Sequence, residues 1–390
     1  MMMGSFLLAI RDLLLGILPR SLSGLLVRPA DFVFIIHPRD RGDIFRKYPF
    51  IRIFPDSVVD RFSKFLWPVL GPELTGIKGK KEGQIRGRVI FPPMTAEQMF
   101  GDLRKARKRI LQAVLLGEKL SPKVVGLGAL SASVMRGEWK SLDKVKALIT
   151  SGSIYTSVLL RQEAERLAEL TGQDLKECSV AVVGAVGLVG SLVSKLVIGK
   201  AGKLLLIDRR MKALTEMGRE LSSQSEVPVE ISKNLMDLKN ADVIIAATNA
   251  VWPVFKPEDI PPGCLIIDDS RPTSTPHDLM EKRPDVIVVE GGIGRLNGLK
   301  CSFDFGLTGQ DHVFGCLGES ILLTWADIYE TQFLEGKTDL EMAGELERIS
   351  REMKIELAPF QWQGTPISQE QLDRIRDIRE KKRSEKAVPS

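Results

Sequence analysis

Val180-Ala-Val-Val-Gly-Ala-Val-Gly-Leu-Val-Gly190 is the stretch whose reading decides the fold. Four apolar residues run into a turn with glycines at its first, fourth and seventh positions (Gly184, Gly187, Gly190), and an apolar helix-forming run follows. That order predicts a buried strand, a tight turn and a helix. Glycine permits the turn and a close backbone approach, and a helix N-terminus aims N–H groups at a bound pyrophosphate. A glycine triplet alone is a weak signal; the strand before it and the helix after it give it weight. The plain alternative is a glycine turn that binds nothing.

The same rhythm continues outward. Strands are expected at 179–184, 203–207, 241–247, 264–268 and 286–290, with helices at 153–170, 188–198 and 211–222. Continuous apolar strands alternating with helices mean a parallel sheet covered on both faces. The second strand ends at Ile207-Asp208-Arg209-Arg210. An acid there suits the ribose 2′-OH of NAD, and arginines suit the 2′-phosphate of NADP, so both NADP(H) and NAD(H) stay open. The candidate cofactor residues are Gly184, Ala185, Val186, Gly187, Leu188, Val189, Gly190, Asp208, Arg209 and Arg210, with Thr248 and Asn249 after the 241–247 strand.

Upstream, 32–36 reads as a buried strand, followed by Pro- and Gly-rich loops to residue 93. Thr95 and Gln98 resemble a capping pair that opens a helix to residue 116. The small-residue run 126–133 would let backbone approach a ligand. Downstream, 312–333 reads as one long apolar helix, 338–354 as a polar helix, and 374–390 as a charged, frayed end. Residues 1–27 are leucine-rich but interrupted by Arg11, Asp12 and Arg20, too short in their uncharged runs to span a bilayer or to act as a signal core. An amphipathic helix is expected there, packed on the protein body by default, with peripheral contact to a membrane surface as the other reading.

Composition narrows the function classes. A chain of 390 residues, 44% hydrophobic and 27% charged, is globular and large enough for two or three domains. A net charge of +5 is too small to imply nucleic-acid binding. Cys178, Cys264, Cys301 and Cys316 form no Cys-x-x-Cys pair and only three histidines exist, so neither a disulfide framework nor a metal site is expected, and a reducing, cytoplasmic compartment fits.

Phe314-Gly-Cys-Leu-Gly-Glu319 is the second chemical segment. Cys316 lies early in an expected helix that Asp311 would cap, and a helix N-terminus favours thiolate. Gly315 and Gly318 leave room beside the sulfur, Glu319 either orients a partner or faces solvent, and His312 would sit one turn away. A cysteine on an apolar helix is more often core, and that reading is kept for Cys178, Cys264 and Cys301. His37 is taken as a structural histidine. Basic clusters at 78–88 and 104–109 are solvated faces by default, or one surface for an acidic partner.

With these residues in place, the chain resembles the long-chain acyl-[acyl-carrier-protein] reductases, which form fatty aldehydes. The resemblance runs from about residue 32 to about residue 329. It is carried by Thr150-Ser-Gly-Ser-Ile-Tyr-Thr156 with Arg161-Gln162, by the 180–190 turn, and by Phe314-Gly-Cys-Leu-Gly-Glu319 with Leu322-Leu323. Shorter pieces are Ile85-Arg-Gly-Arg88, Leu127-Gly-Ala-Leu-Ser131, Leu265-Ile-Ile-Asp268 and Gly291-Gly292. It implies that Cys316 accepts the acyl chain as a thioester, that NADPH binds at Gly184, Gly187 and Gly190, and that an acyl-carrier protein or acyl-CoA is the donor. Arg209 matches a basic position of the family. Asp208 stands where the family has a neutral residue, and His312 matches no family histidine.

The expectation is therefore an α/β protein: a Rossmann-type doubly wound parallel sheet with a mixed α/β N-terminal domain and C-terminal helices. Its divisions would be 1–30, 31–150, 151–311 and 312–390. Two other functions compete. One is a shikimate-dehydrogenase-like or amino-acid-type dehydrogenase without covalent catalysis; the other is a non-enzymatic dinucleotide-sensing protein.

Overall fold

The computed structural model describes residues 2–23, 25–38, 42–43, 45, 48–55, 58–59, 67–81, 83–250, 252–329 and 340–387. The chain forms two compact units. Unit 1 is Met1–Gly152, Gly298–Asp304 and Cys316–Lys337; unit 2 is Ser153–Asn297, Phe305–Gly315 and Thr338–Ser390. The segment expected as one C-terminal piece from 312 is shared between them.

Unit 1 begins with helices α1 (Met2–Ile17) and α2 (Arg20–Ser23), then strands β1 (Phe32–Ile35), β2 (Val69–Lys78) and β3 (Gln84–Phe91). Helices α3 (Ala96–Gly101) and α4 (Leu103–Glu118), strand β4 (Val124–Leu127), helix α5 (Leu130–Met135) and strand β5 (Leu148–Thr150) follow. The sheet runs β2-β3-β1-β4-β5, with the short strand Lys300–Cys301 beyond β2. β1 is parallel to β3 and β4, and β4 to β5, so their C-terminal ends share one edge.

Two expectations fail here. The 69–91 region is an antiparallel hairpin, not loop. Its Gly71-Pro72 pair sits where the register shifts between Leu70 and Glu73, the kind of irregularity that admits proline in a strand. The helix opened by the Thr95/Gln98 capping box does form, but it breaks at Asp102, whose side chain accepts the Lys105 N–H and starts α4 anew.

In unit 2, α6 (Ser153–Leu170) leads into β6 (Ser179–Val183), α7 (Leu188–Val197), β7 (Lys203–Ile207), α8 (Met211–Gln224) and β8 (Val229–Ser232). Strands β9 (Val243–Ala246) and β10 (Leu265–Asp268), helix α9 (Leu279–Lys282), and strands β11 (Ile287–Glu290) and β12 (Ile293–Arg295) complete the run. The six-stranded sheet is ordered β11-β10-β9-β6-β7-β8 and is parallel throughout. That is the Rossmann order, reversing between β6 and β9.

Alternation explains the double cover. Val180, Val182, Leu204, Leu206, Val243 and Ile245 pack into one core with α6, α7 and α8. Ala181, Val183, Leu205, Ile207, Ile244 and Ile266 point the other way, onto Leu238, Phe255 and Trp362. With both faces buried, the middles of β6, β7, β9, β10 and β11 are continuous apolar runs, and polar residues such as Ser179, Lys203, Asp268 and Glu290 stand only at their ends. Helix α6 stops at Thr171-Gly172, where Gly172 takes φ +75° and the Gln173 N–H closes onto the Ala168 carbonyl.

Residues 312–325 are a strand and then a helix, not one continuous helix. His312–Phe314 is a strand paired antiparallel with β12, and α10 (Gly315–Trp325) begins only after it. Val313 and Phe314 are strand-prone, and Ile293–Arg295 supplies a partner that helical periodicity cannot reveal. Residues 330–333 lie outside the described residues. Helix α11 (Leu340–Glu352) matches its expected span within two residues. The C-terminal α12 (Gln369–Ala387) is not frayed: Arg379 is 3% exposed and donates to Gly263 O, Asp242 O and Thr171 Oγ1. Among the described residues no helix is long and apolar enough to cross a membrane.

Candidate active site

The glycine turn of unit 2 lies where the strand order reverses, at the C-terminal ends of β6, β7 and β9. Open α/β sheets place their ligand crevice at that point. Gly184 and Gly190 are required by the protein itself. Gly184 has φ +85°, and a Cβ there would meet Ala247 O at 2.4 Å. A Cβ on Gly190 would meet Gly184 O at 2.2 Å.

Gly187 differs. Its backbone is extended, it caps α7 with no side chain, and a Cβ would touch only Gly184 O at 3.0 Å and Ala247 O at 3.6 Å. That side is less crowded than at Gly184 or Gly190, although the Gly184 carbonyl would have to give by a few tenths of an ångström. Ala185 and Val186 are buried, and their amides donate to Ile207 O and to Asp208 Oδ2. The first bond of the helical ladder here runs from Ser191 N to Gly187 O. The Leu188, Val189 and Gly190 amides stand ahead of it, at the positive end of the helix dipole.

Asp208 follows β7 and is 8% exposed. Burial works against its charge, but Arg210 donates to it through its amide and guanidinium, and together with the Val186 amide holds the carboxyl below the usual carboxylate range. Arg210 is thus engaged by Asp208, whereas Arg209 is exposed. Thr248 follows β9, donating its amide to Ser270 Oγ and accepting the Ala250 N–H; Asn249 is exposed. The fold therefore gathers the whole expected cofactor set on one edge of one sheet.

Cys316 belongs to unit 1, at the second position of α10. Gly152, just past β5, presses against it. With φ +72°, a Cβ on Gly152 would fall 2.2 Å from Cys316 Cβ and 2.3 Å from its Cα. A polar relay holds this contact: Gly152 N–H donates to Thr150 Oγ1 at 3.1 Å, and Thr150 Oγ1 donates to Glu319 Oε1. Glu319 is fully buried, so the solvent-facing option is excluded.

Asp311 does not cap this helix, which starts four residues later, and His312 is not one turn from the cysteine. Its ring, in a strand of unit 2, accepts the Gly309 N–H at 3.2 Å. Nor is the 126–133 run a ligand approach: a Cβ on Gly126 would meet Ser320 Oγ at 2.0 Å, and one on Gly128 the Phe34 ring at 2.3 Å.

Glu163 stands out only in the structure. This α6 carboxyl is buried in unit 2 and accepts the Gly292 and Ile293 amides at 2.9 and 3.0 Å. The Gly292 carbonyl in turn accepts the Gly315 N–H at 2.7 Å, so the residue preceding Cys316 is tied to that loop. Burial raises Glu163 to about 8 against the pull of those amides, and nearby Asp269 adds to the rise. Asp269, half-buried, is pushed by desolvation to about 7 despite Arg271. A carboxyl inside the apolar stripe Leu160, Ala164, Leu167 was the available signal.

Cys178 and Cys264 keep their core reading, whereas Cys301 is only half-buried. Burial lifts Cys178 to about 11 and Cys264 to about 12, and also raises Cys301. His37 is buried, its Nδ1 3.0 Å from Pro38 O, and burial lowers its pKa. The 104–109 cluster is not one basic face: Arg109 is buried against Gln112 and Arg107 bonds Val134 O and Glu138, leaving Arg104 and Lys108 exposed.

A profile of the shikimate / quinate 5-dehydrogenase family matches residues 166–274. Aminotransferase PigE of Serratia sp. is 23% identical over 240 residues, 61% of this chain, which spans only 28% of that protein's length. The long-chain acyl-[acyl-carrier-protein] reductase of Synechococcus elongatus is 25% identical over 280 residues, 66% of this chain and 77% of that one. Among solved structures, L-tryptophan dehydrogenase from Nostoc punctiforme aligns with a TM-score of 0.39 at 12% identity over 92% of this chain and 90% of its own. Dipicolinate synthase A chain from Bacillus subtilis gives 0.34 at 16% over 63% and 70%. Unit 2 carries the parallel sheet and glycine turn of a Rossmann-type NAD(P)-binding domain, and the matched residues 166–274 lie within it.

Proposed function

We propose that the chain reduces a long-chain acyl thioester, presented by an acyl-carrier protein or coenzyme A, to the aldehyde, with Cys316 as acyl acceptor. The observation that carries this reading is Gly152 held against Cys316 at the start of α10. A side chain at 152 would collide with Cys316, and the Cys178 and Cys264 thiols are buried away from any substrate. The likeness to the Synechococcus reductase supports the substrate class.

The Leu188, Val189 and Gly190 amides would hold the pyrophosphate of NADPH or NADH, and Arg209 a 2′-phosphate. When bound, the cofactor supplies two electrons as hydride. The Cys316 thiolate attacks the thioester carbonyl carbon; a new C–S bond forms, the donor's C–S bond breaks, and the carrier thiol leaves with a proton. After reduction of the acyl-enzyme, the carbon–Cys316 bond breaks, releasing aldehyde and restoring the thiolate. The net reaction consumes one proton and one reduced cofactor per aldehyde. The Glu319–Thr150–Gly152 relay keeps the cysteine backbone in place throughout.

The matched residues 166–274 lie wholly in unit 2, and they favour a second reading: a dehydrogenase of the shikimate class that makes no use of Cys316. One experiment separates the two. Acyl thioester without cofactor should leave an adduct on Cys316 with the mass of the acyl group, and NADPH should discharge it as aldehyde. Cys316→Ser should fold and lose turnover. Full activity in Cys316→Ser, or an adduct on Cys301 instead, would overturn the covalent mechanism.

A further inference from the structure

Helix α1 is built inside out. Leu7, Ile10, Leu13, Leu14 and Ile17 are exposed, Ile17 to 73%. At 100° per residue these five fall within roughly 120° of the helix, with no charge among them, while Leu8, also exposed, lies off that stripe. The charged residues point elsewhere. Asp12 is 4% exposed and accepts the Tyr48 hydroxyl at 2.6 Å, with Arg11 donating to it from alongside. A helix packed on a soluble body does the reverse. The helix is also fastened in this pose: Leu15 is fully buried, and Lys119 Nζ caps its C-terminus by donating to Leu15 O, Gly16 O and Leu18 O.

The apolar surface extends beyond the helix. The 3-10 turn Pro49–Ile53 packs against α1, and Ile53 and Phe54 are exposed to 71% and 49%. Among the described side chains of 1–30 and 45–54, the charges that reach solvent are Arg11, Arg28 and Arg52, all basic; the one acid, Asp12, is buried.

We propose that α1 and the adjoining 50s turn form a docking face that lies in the interface of a bilayer containing anionic lipid. The apolar stripe enters the acyl boundary and the arginines meet the headgroups. The charge pattern selects this occupant over a second copy of the chain. A two-fold interface would set the same patch against itself, arginine facing arginine, whereas anionic headgroups neutralise it. This face is independent of the Cys316 chemistry, so either reading can fail without the other.

The test is co-sedimentation of the full chain with phosphatidylcholine vesicles, with and without about one third phosphatidylglycerol. Wild type should pellet with the anionic vesicles and more weakly with the neutral ones. Leu13→Glu/Ile17→Glu changes only exposed positions, so it should keep its melting temperature and lose at least tenfold in partitioning. Arg28→Glu/Arg52→Glu should lose the preference for phosphatidylglycerol. Failure of wild type to pellet with either vesicle overturns the proposal. So does a concentration-dependent dimer, dissolved by the leucine–isoleucine variant, in a protein that ignores vesicles.

Discussion

Gly152→Ala tests the arrangement around Cys316 without assuming the chemistry. Two costs add at this position. An L-residue at φ +72° costs ~1–2 kcal/mol in the left-handed region. A Cβ 2.2 Å from Cys316 Cβ must also push backbone aside, and overpacking of that kind costs ~1–3 kcal/mol. Gly137→Ala isolates the first cost, because Gly137 has φ +83° but nothing within 4 Å of its would-be Cβ. In a unit of this size each kcal/mol lowers the melting midpoint ~2–4 °C, so Gly152→Ala should melt about 2–12 °C below Gly137→Ala. Scanning calorimetry reads that difference. Alkylation of Cys316 by iodoacetamide should change in rate only in Gly152→Ala. Turnover should fall on the order of a hundredfold there, as for a reacting group displaced by about an ångström. Equal midpoints and equal alkylation in the two variants would refute the claim that Gly152 sets the position of the cysteine.

Other outcomes follow from the same geometry. Gly187→Val should fold, since only Gly184 O crowds it, yet weaken NADPH binding at least tenfold, ~1.4 kcal/mol, in a fluorescence titration, whereas Gly190→Ala should fail to fold normally. Arg104→Glu with Lys108→Glu, the two exposed members of their cluster, should raise the Michaelis constant for a carrier-bound donor, and high salt should mimic it; a salt-independent rate argues for a solvated face. Glu163→Gln should alter the pH dependence of stability. A carboxyl raised to about 8 when folded favours the folded state most below its unfolded value of about 4.3, and that contribution is lost as pH rises toward 8. Urea titrations of wild type should therefore fall in stability across this window more steeply than those of the variant, which keeps only the Asp269 part; parallel profiles would mean that Glu163 is ionised throughout.

Unit 2 was legible because its strands are buried on both faces. Val180, Leu204, Val243 and Leu265 must all be apolar whichever way they point, so apolar runs mark them directly. β8 is an edge strand, with two adjacent residues of its four, Glu230 and Ile231, exposed on opposite faces, and it left no such run. In the turn, the glycines announced themselves but not their separate reasons: Gly184 and Gly190 answer to severe backbone contacts, Gly187 to a milder one with Gly184 O. Such distinctions depend on atoms far away in sequence. The same holds for Gly126 and Gly128, where small residues make room for Ser320 and Phe34 and not for a ligand.

The cysteine segment shows the limit more sharply. Helical periodicity ran on through 312–314 because Val313 and Phe314 satisfy a helix as well as a strand. Only the pairing with Ile293–Arg295 decides for the strand, and it thereby moves the helix start to the residue before Cys316. Glu319 was legible as a polar residue but not as a buried one, since its partner Thr150 lies 169 positions away. Helix α1 carries the point to its end. Its pattern identified an apolar and a polar face, and that is all a pattern contains. Which face is covered depends on what the rest of the chain presents, and here Tyr48 offers a hydroxyl where a hydrocarbon would be the usual complement. Asp12 turned inward, and Leu7, Leu13 and Leu14 were left exposed.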